Sequence, residues 1–227
     1  MTPLERIWSA MVGVFELGGP VVVTLILVSV ATLALILYKL WQYKAAHVGR
    51  HLALGNAVEA WDRGDAALAL RMLEDSRSYL APVIRMAIER EGGNDPALSA
   101  RVDAEAEERF SRLEHGLGTL DMVAQLAPLL GLFGTVLGMI EAFRQLQTAG
   151  SSVDPSLLAG GIWVALLTTA AGLAVAMPTS LVLNWFEARM QRERVFANRA
   201  LRTVFSPAKG EVAPRSGWRT DRVPNGA

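Results

Sequence analysis

The chain has 227 residues, 52% hydrophobic and 19% charged, with a mean hydropathy of +0.29 and a formal net charge of +0. Soluble domains carry about 25% charged residues; here the deficit is concentrated in three runs without Asp, Glu, Lys or Arg, at 17–38, 122–140 and 155–186. Each run exceeds the roughly 18 residues that mark a membrane-span candidate, which argues against a soluble enzyme, and the lack of cysteine excludes disulfides, thiolate catalysis and cysteine zinc sites.

The first sixteen residues do not read as a cleaved signal peptide, because they carry acidic residues and lead into an apolar run too long for one. Thr2, Pro3 and Glu5 read as N-cap, first helical residue and capping-box partner. Leu4, Ile7, Trp8, Met11, Val12 and Phe15 then form one apolar stripe, suited to the membrane interface or to packing on protein. Gly18-Gly19-Pro20 is expected to break the chain before the first span. That span is rich in Val, Leu and Ile and is followed by Lys39, Lys44 and Arg50, with only Arg6 before it. The positive-inside rule therefore places its C-terminal end in the cytoplasm and the N-terminus outside. Two more spans return the chain to the cytoplasm, and the loops agree: 141–154 holds a single basic residue, Arg144, whereas Arg189, Arg192, Arg194, Arg199 and Arg202 follow the third span. Tyr38, Trp41, Tyr43 and Trp185 fall at the expected interfaces, as aromatic belts do.

Between the first two spans, the periodicity predicts short helices around Ala57–Trp61, from Gly64-Asp65 onward and over 81–91, stopped by Gly92-Gly93-Asn94. Asp95-Pro96 reads as N-cap and first residue of one long helix running from about Ala97 into the membrane. The third apolar run is 32 residues, about 48 Å as a helix against a hydrocarbon core of about 30 Å, so it tilts or projects beyond the bilayer. No β pattern and no internal repeat occur.

Soluble catalytic motifs are absent: there is no phosphate loop, dinucleotide fingerprint or nucleophile elbow. His47, His51 and His115 are scattered and read as solvated side chains, so no metal or other cofactor is expected. The basic C-terminal segment abuts a span and suits anionic lipid headgroups better than nucleic acid. The informative residues lie inside spans two and three. Gly131, Thr135, Gly138 and Ala142 share one spacing, and Ala165, Thr169, Gly172 and Ala176 repeat it. Such faces serve close helix packing, here expected between subunits of an oligomer, or a pore wall lined by hydroxyls. Pro128 and Pro178 each free a carbonyl four residues back and are expected to kink their helices. Neither span holds an ionisable group, so any proton carried here needs a titrating group from a partner.

The segment Leu129-Leu130-Gly131-Leu132-Phe133-Gly134-Thr135-Val136-Leu137-Gly138 and the segment Ala165–Leu173, followed by Met177-Pro178, resemble the MotA/TolQ/ExbB proton-channel family. The three-span layout with a large first insert is most like ExbB, with TolQ next. The resemblance implies an all-α membrane protein, three transmembrane helices, N-out/C-in, with long helices extending into the cytoplasm of a multi-pass inner-membrane subunit. Its expected segments are a periplasmic amphipathic helix (1–19), a first span (20–41), a helical cytoplasmic insert (42–121), a second span (122–144) and a short periplasmic loop (145–155). A third span (156–186), a cytoplasmic helical extension (187–205) and a disordered tail (206–227) follow. It further implies a homopentamer around a dimer of a single-span ExbD- or TolR-like partner, a TonB-like protein beyond it, and proton flow energising outer-membrane transport, or the Tol-Pal system. A non-conducting scaffold of the same fold is the reading from another class. Thr135 and Thr169 match the family's pore threonines; Gly131, Gly134, Gly138, Ala165, Gly172 and Ala176 are the expected packing positions. Val164 stands where the family commonly has glutamate, which puts conduction in question.

Overall fold

The computed structural model describes residues 3–90, 95–149 and 155–208. Among the described residues, seven helices account for the regular structure: α1 (Pro3–Ala45), α2 (Leu52–Asp62), α3 (Ala66–Glu74), α4 (Ala81–Glu89), α5 (Pro96–Glu114), α6 (Leu117–Ala149) and α7 (Pro155–Phe205). No strand occurs among the described residues. The Thr2 cap, the Gly92-Gly93-Asn94 stop, residues 150–154 between α6 and α7 and the tail from Lys209 lie outside the described residues, as do the side chains of the 4–15 stripe. Among the described residues, three helices are long and apolar enough to cross a membrane: Gly19–Ala45, Leu117–Thr148 and Leu158–Phe205. The chain divides into two compact units, one of residues 1–45 and 110–192, the other of 46–109 and 193–227.

In the first unit, α1 is two helical segments joined at Gly19, whose φ of 65° and ψ of −170° leave the helix. A side chain at positive φ is strained and glycine is not, so the joint falls at the glycine and Pro20 starts the second segment, where a missing N–H costs nothing. The break expected at Gly18-Gly19-Pro20 thus falls at Gly19, whereas α6 and α7 continue as helices through Pro128 and Pro178. Leu25 of α1, Ala127 of α6 and Ala176 of α7 make a buried cluster, flanked by Val21, Val123, Leu130, Ala171 and Val175. Much of the remaining surface of the first span, including Leu27, Val30, Leu33 and Leu37, is exposed apolar side chain, as a lipid-facing helix requires.

The single helix expected from Ala97 into the membrane is in fact two. Gly116, at φ 90°, separates α5 from α6. Lys39 caps the end of α5 at this break. Its ammonium donates to the Leu113 carbonyl at 2.9 Å and to Gln42 Oε1 at 2.8 Å, with 1% of the residue exposed. The last carbonyls of a helix lack intrahelical donors, and a cation there also meets the negative end of the helix dipole. Lys39, counted in the sequence only as a positive charge following the first span, thus works as a C-terminal cap supplied from another helix.

The second unit is built from α2, α3, α4 and the ends of α5 and α7. Gly64, at φ 86°, turns α2 into α3, and Asp65 caps α3 by accepting from the Leu68 N–H at 3.0 Å. Asp95 caps α5 by accepting from the Ala97 N–H at 2.9 Å. Leu54, Leu80, Ile84, Val102 and Val204 fill the interior, and the Trp61 indole donates to the Val204 carbonyl near the end of α7 at 3.0 Å.

His51 corrects the expectation of solvated histidines. Its ring stacks on Phe196 with centroids 4.0 Å apart, and Nε2 lies 2.9 Å from Oε1 of Glu193. Glu193 is 0% exposed, and its Oε2 accepts from the Tyr79 hydroxyl at 2.8 Å. A buried carboxylate persists only where donors replace water. Removing one leaves it short of a partner, at a cost of about 2–3 kcal/mol. His51→Ala and Tyr79→Phe should each lower the melting temperature of the detergent-solubilised protein. His51→Ala should lower it more, since it also loses the stack on Phe196; an unchanged melting curve for His51→Ala would show that Glu193 has donors enough without it.

Candidate functional site: the contact between the second and third spans

Small residues bring α6 and α7 close enough for backbone to touch backbone. A Cβ added at Gly131 would lie 2.9 Å from the Thr168 carbonyl oxygen, and one at Gly172 would lie 2.5 Å from the Ala127 carbonyl oxygen. A Cβ at Gly138 would meet the Ala165 methyl at 3.1 Å, while Ala142 packs against Gly161. Ala142, Ala165 and Ala176 are buried. The small faces thus meet within one chain, rather than only between subunits as the spacing alone suggested.

The hydroxyls are placed differently from the simple stripe. Positions three and four residues on both count as the same helix face, so spacing admits Gly134 as readily as Thr135, and Thr168 as readily as Thr169. Close approach selects the smaller residue on α6. Gly134 faces Thr168, where an added Cβ would come 2.7 Å from Oγ1. Thr135 is half-buried at the margin, its hydroxyl donating to the Leu132 carbonyl of its own helix at 2.6 Å.

Thr168 is 2% exposed and is the polar residue at the centre of the contact. Its Oγ1 lies 2.7 Å from the Ala165 carbonyl and 3.3 Å from the Gly131 carbonyl. Thr169, half-buried, reaches the same Gly131 carbonyl at 3.4 Å. The sequence signal for Thr168 was the paired threonine itself, but a four-residue count from Ala165 passes over it.

Val164 is half-buried and stands one turn before Thr168. Pro178 leaves the Ala174 carbonyl without its helical donor; one residue on, the buried Thr179 hydroxyl donates to the Val175 carbonyl at 2.7 Å. Apolar side chains dominate the outer faces of both helices. Leu129, Leu132, Phe133, Val136 and Ile140 of α6 and Leu166, Leu173 and Leu181 of α7 are exposed.

The family model described as the MotA/TolQ/ExbB proton channel family matches residues 75–197, more than half of the chain and all of this contact. The chain belongs to that family. A putative biopolymer transport protein ExbB homolog of Methanothermobacter thermautotrophicus is 28% identical over 194 residues, 85% of this chain and 68% of its own. Biopolymer transport protein ExbB of Neisseria meningitidis serogroup A is 32% identical over 188 residues, 76% of this chain and 84% of its own. Biopolymer transport protein exbB1 of Vibrio cholerae is 44% identical over 72 residues, and that match spans 32% of each chain. Membership makes the protein a proton-channel subunit of the ExbB/TolQ type, in a transport family and not a known enzyme family. With three membrane-length helices it is a multi-pass inner-membrane protein.

Proposed function

We propose that the protein is the ExbB-like subunit of a motor driven by the proton motive force. In this reading several copies, a pentamer by family resemblance, surround a dimer of a single-span ExbD-like partner. Proton flow through the assembly moves the partner and, through a TonB-like protein, energises outer-membrane transport. The N-terminus lies outside and the C-terminus inside, so the basic residues after the third span meet anionic headgroups on the cytoplasmic side. The observation that carries the reading is the α6–α7 contact. It holds hydroxyls deep in the apolar zone, where Thr135 and Thr169 stay half-buried at its margin. Each hydroxyl is held by a carbonyl of the α6–α7 pair, and its lone pairs remain to meet a partner, water or an ion.

The absence of Asp, Glu, Lys, Arg and His over 122–140 and 155–186 supports a titrating group supplied by the partner. Val164 specifically favours the second reading, a non-conducting scaffold that assembles the same complex. A Tol-Pal role is the alternative within the conducting class. Co-purification with the candidate single-span protein, followed by mass measurement of the intact complex, tests assembly; a chain that never retains such a partner would end both readings.

Conduction is tested at the hydroxyls. Valine is nearly isosteric with threonine but lacks the hydroxyl. Thr135→Val and Thr169→Val should keep partner binding and each lose most proton uptake in vesicles with an imposed pH gradient. Uptake equal to the parent in both variants would leave the threonines a packing role alone.

A further inference from the structure

Three donors converge on one carbonyl. In α6 the Thr135 N–H points at the Gly131 oxygen, as helix geometry dictates, and the hydroxyls of Thr168 and Thr169 reach the same oxygen at 3.3 and 3.4 Å. A carbonyl oxygen has two lone pairs; the Thr135 N–H takes one, and since each hydroxyl carries a single proton, Thr168 and Thr169 compete for the other. Both hydroxyl contacts are longer than the about 2.5–3.0 Å of an O–H···O bond, so this oxygen holds neither hydroxyl firmly. Thr168 alone has a second, shorter acceptor, the Ala165 carbonyl at 2.7 Å. Two arrangements therefore satisfy the site. In one, Thr168 donates to Ala165 and Thr169 to Gly131. In the other, Thr168 turns its proton to Gly131, and the half-buried Thr169 is released to donate outward. Neither strands a buried donor, because Thr168 is enclosed but always has an acceptor, while Thr169 opens toward the margin.

We infer that Thr168 is a positioning residue for Thr169: by taking over the Gly131 carbonyl, it lets Thr169 turn its hydroxyl to an acceptor oxygen from outside the α6–α7 pair. The incoming acceptor is a water or a carboxyl oxygen of the partner. Only hydrogen bonds change hands in this exchange, and no covalent bond is made or broken. It rests on the proposed conducting role of Thr169 and adds a control element behind it.

The test compares Thr168→Val and Thr168→Ser with Thr169→Val in the reconstituted complex, each in the parent and in a Val164→Glu background. Proton uptake and native mass are read together. Thr168→Val keeps the β-branched volume against Gly134, so the complex should retain its mass and melting temperature while uptake falls about tenfold. Thr168→Ser, which restores the hydroxyl, should recover most of it. A purely structural role would not make uptake follow the hydroxyl at constant assembly.

Uptake unchanged by Thr168→Val while Thr169→Val abolishes it would overturn this inference and leave the proposed function standing. Uptake unchanged by Thr169→Val, or absent in both backgrounds, would overturn the two together. Loss of native mass in Thr168→Val would reduce the residue to packing and also overturn the inference. The infrared O–H stretch of Thr169, compared with and without the partner, separates the sources: a Thr168-dependent shift in both preparations identifies water as the acceptor, and one that needs the partner identifies its carboxyl. Either supports the exchange.

Discussion

Gly172→Leu should abolish the folded protein and not only its assembly. The added Cβ falls 2.5 Å from the Ala127 carbonyl oxygen and 3.0 Å from Gly131 Cα. Both are backbone atoms of the neighbouring helix, so no side chain can turn away to make room. Overpacking of a well-packed core costs about 1–3 kcal/mol even where neighbours relax. Here the two helices must separate, and the Leu25, Ala127 and Ala176 cluster opens with them. Gly172→Ala carries the same clash in its first atom. Its gain in helix propensity, about 1 kcal/mol at most, does not offset it. Gly118→Ala is the control, because a Cβ there meets nothing within 4 Å, and it should be neutral or slightly stabilising. Size-exclusion profiles and thermal melts in detergent distinguish the outcomes. A Gly172→Leu protein that remains a well-folded monomer would mean that this face works between subunits and that the contact within the chain is dispensable.

The spans were readable in the sequence because the cost of charge in hydrocarbon leaves a one-dimensional trace. A run without Asp, Glu, Lys or Arg needs no knowledge of neighbours to be seen. The Gly19 joint was readable for a similar reason, since Gly-Gly-Pro states a backbone preference locally. The Asp95-Pro96 helix start was equally local. What stayed hidden depends on pairs distant in sequence. His51 and Glu193 are 142 positions apart, and nothing near either announces the other. A glycine inside a helix costs only about 1 kcal/mol, so Gly116 by its identity does not fix a terminus. The capping partner of the Leu113 carbonyl, Lys39, lies 74 positions away. The choice between Thr168 and Thr169 was hidden more subtly. Spacing gives the face of a helix to within one residue, and only the close approach at Gly134 decides which hydroxyl is enclosed and which is left at the margin.

Val164→Glu should raise proton uptake through the assembled complex several-fold. Val164 is half-buried one turn before Thr168, on a helix whose apolar run spans 155–186. A carboxyl group this deep is costly, about 2.5–3.5 kcal/mol on insertion scales, unless it meets water or a partner's polar group. The variant should therefore insert and assemble with a modest loss of thermal stability, because the position is not fully enclosed by the chain's own helices. What it gains is a group that can accept and release a proton within reach of the hydroxyl contact, which the parent lacks over the whole of its second and third apolar runs. Val164→Gln separates chemistry from polarity. Glutamine has nearly the same size and hydrogen-bonding reach but does not titrate, so its uptake should stay at the level of the parent. Vesicles containing the partner and an imposed pH gradient provide the measurement. A glutamate variant no faster than the parent, with assembly intact, would remove this position from the proton path. The conducting route would then have to be carried by the threonine hydroxyls and the partner's titrating group without help from α7 at this turn.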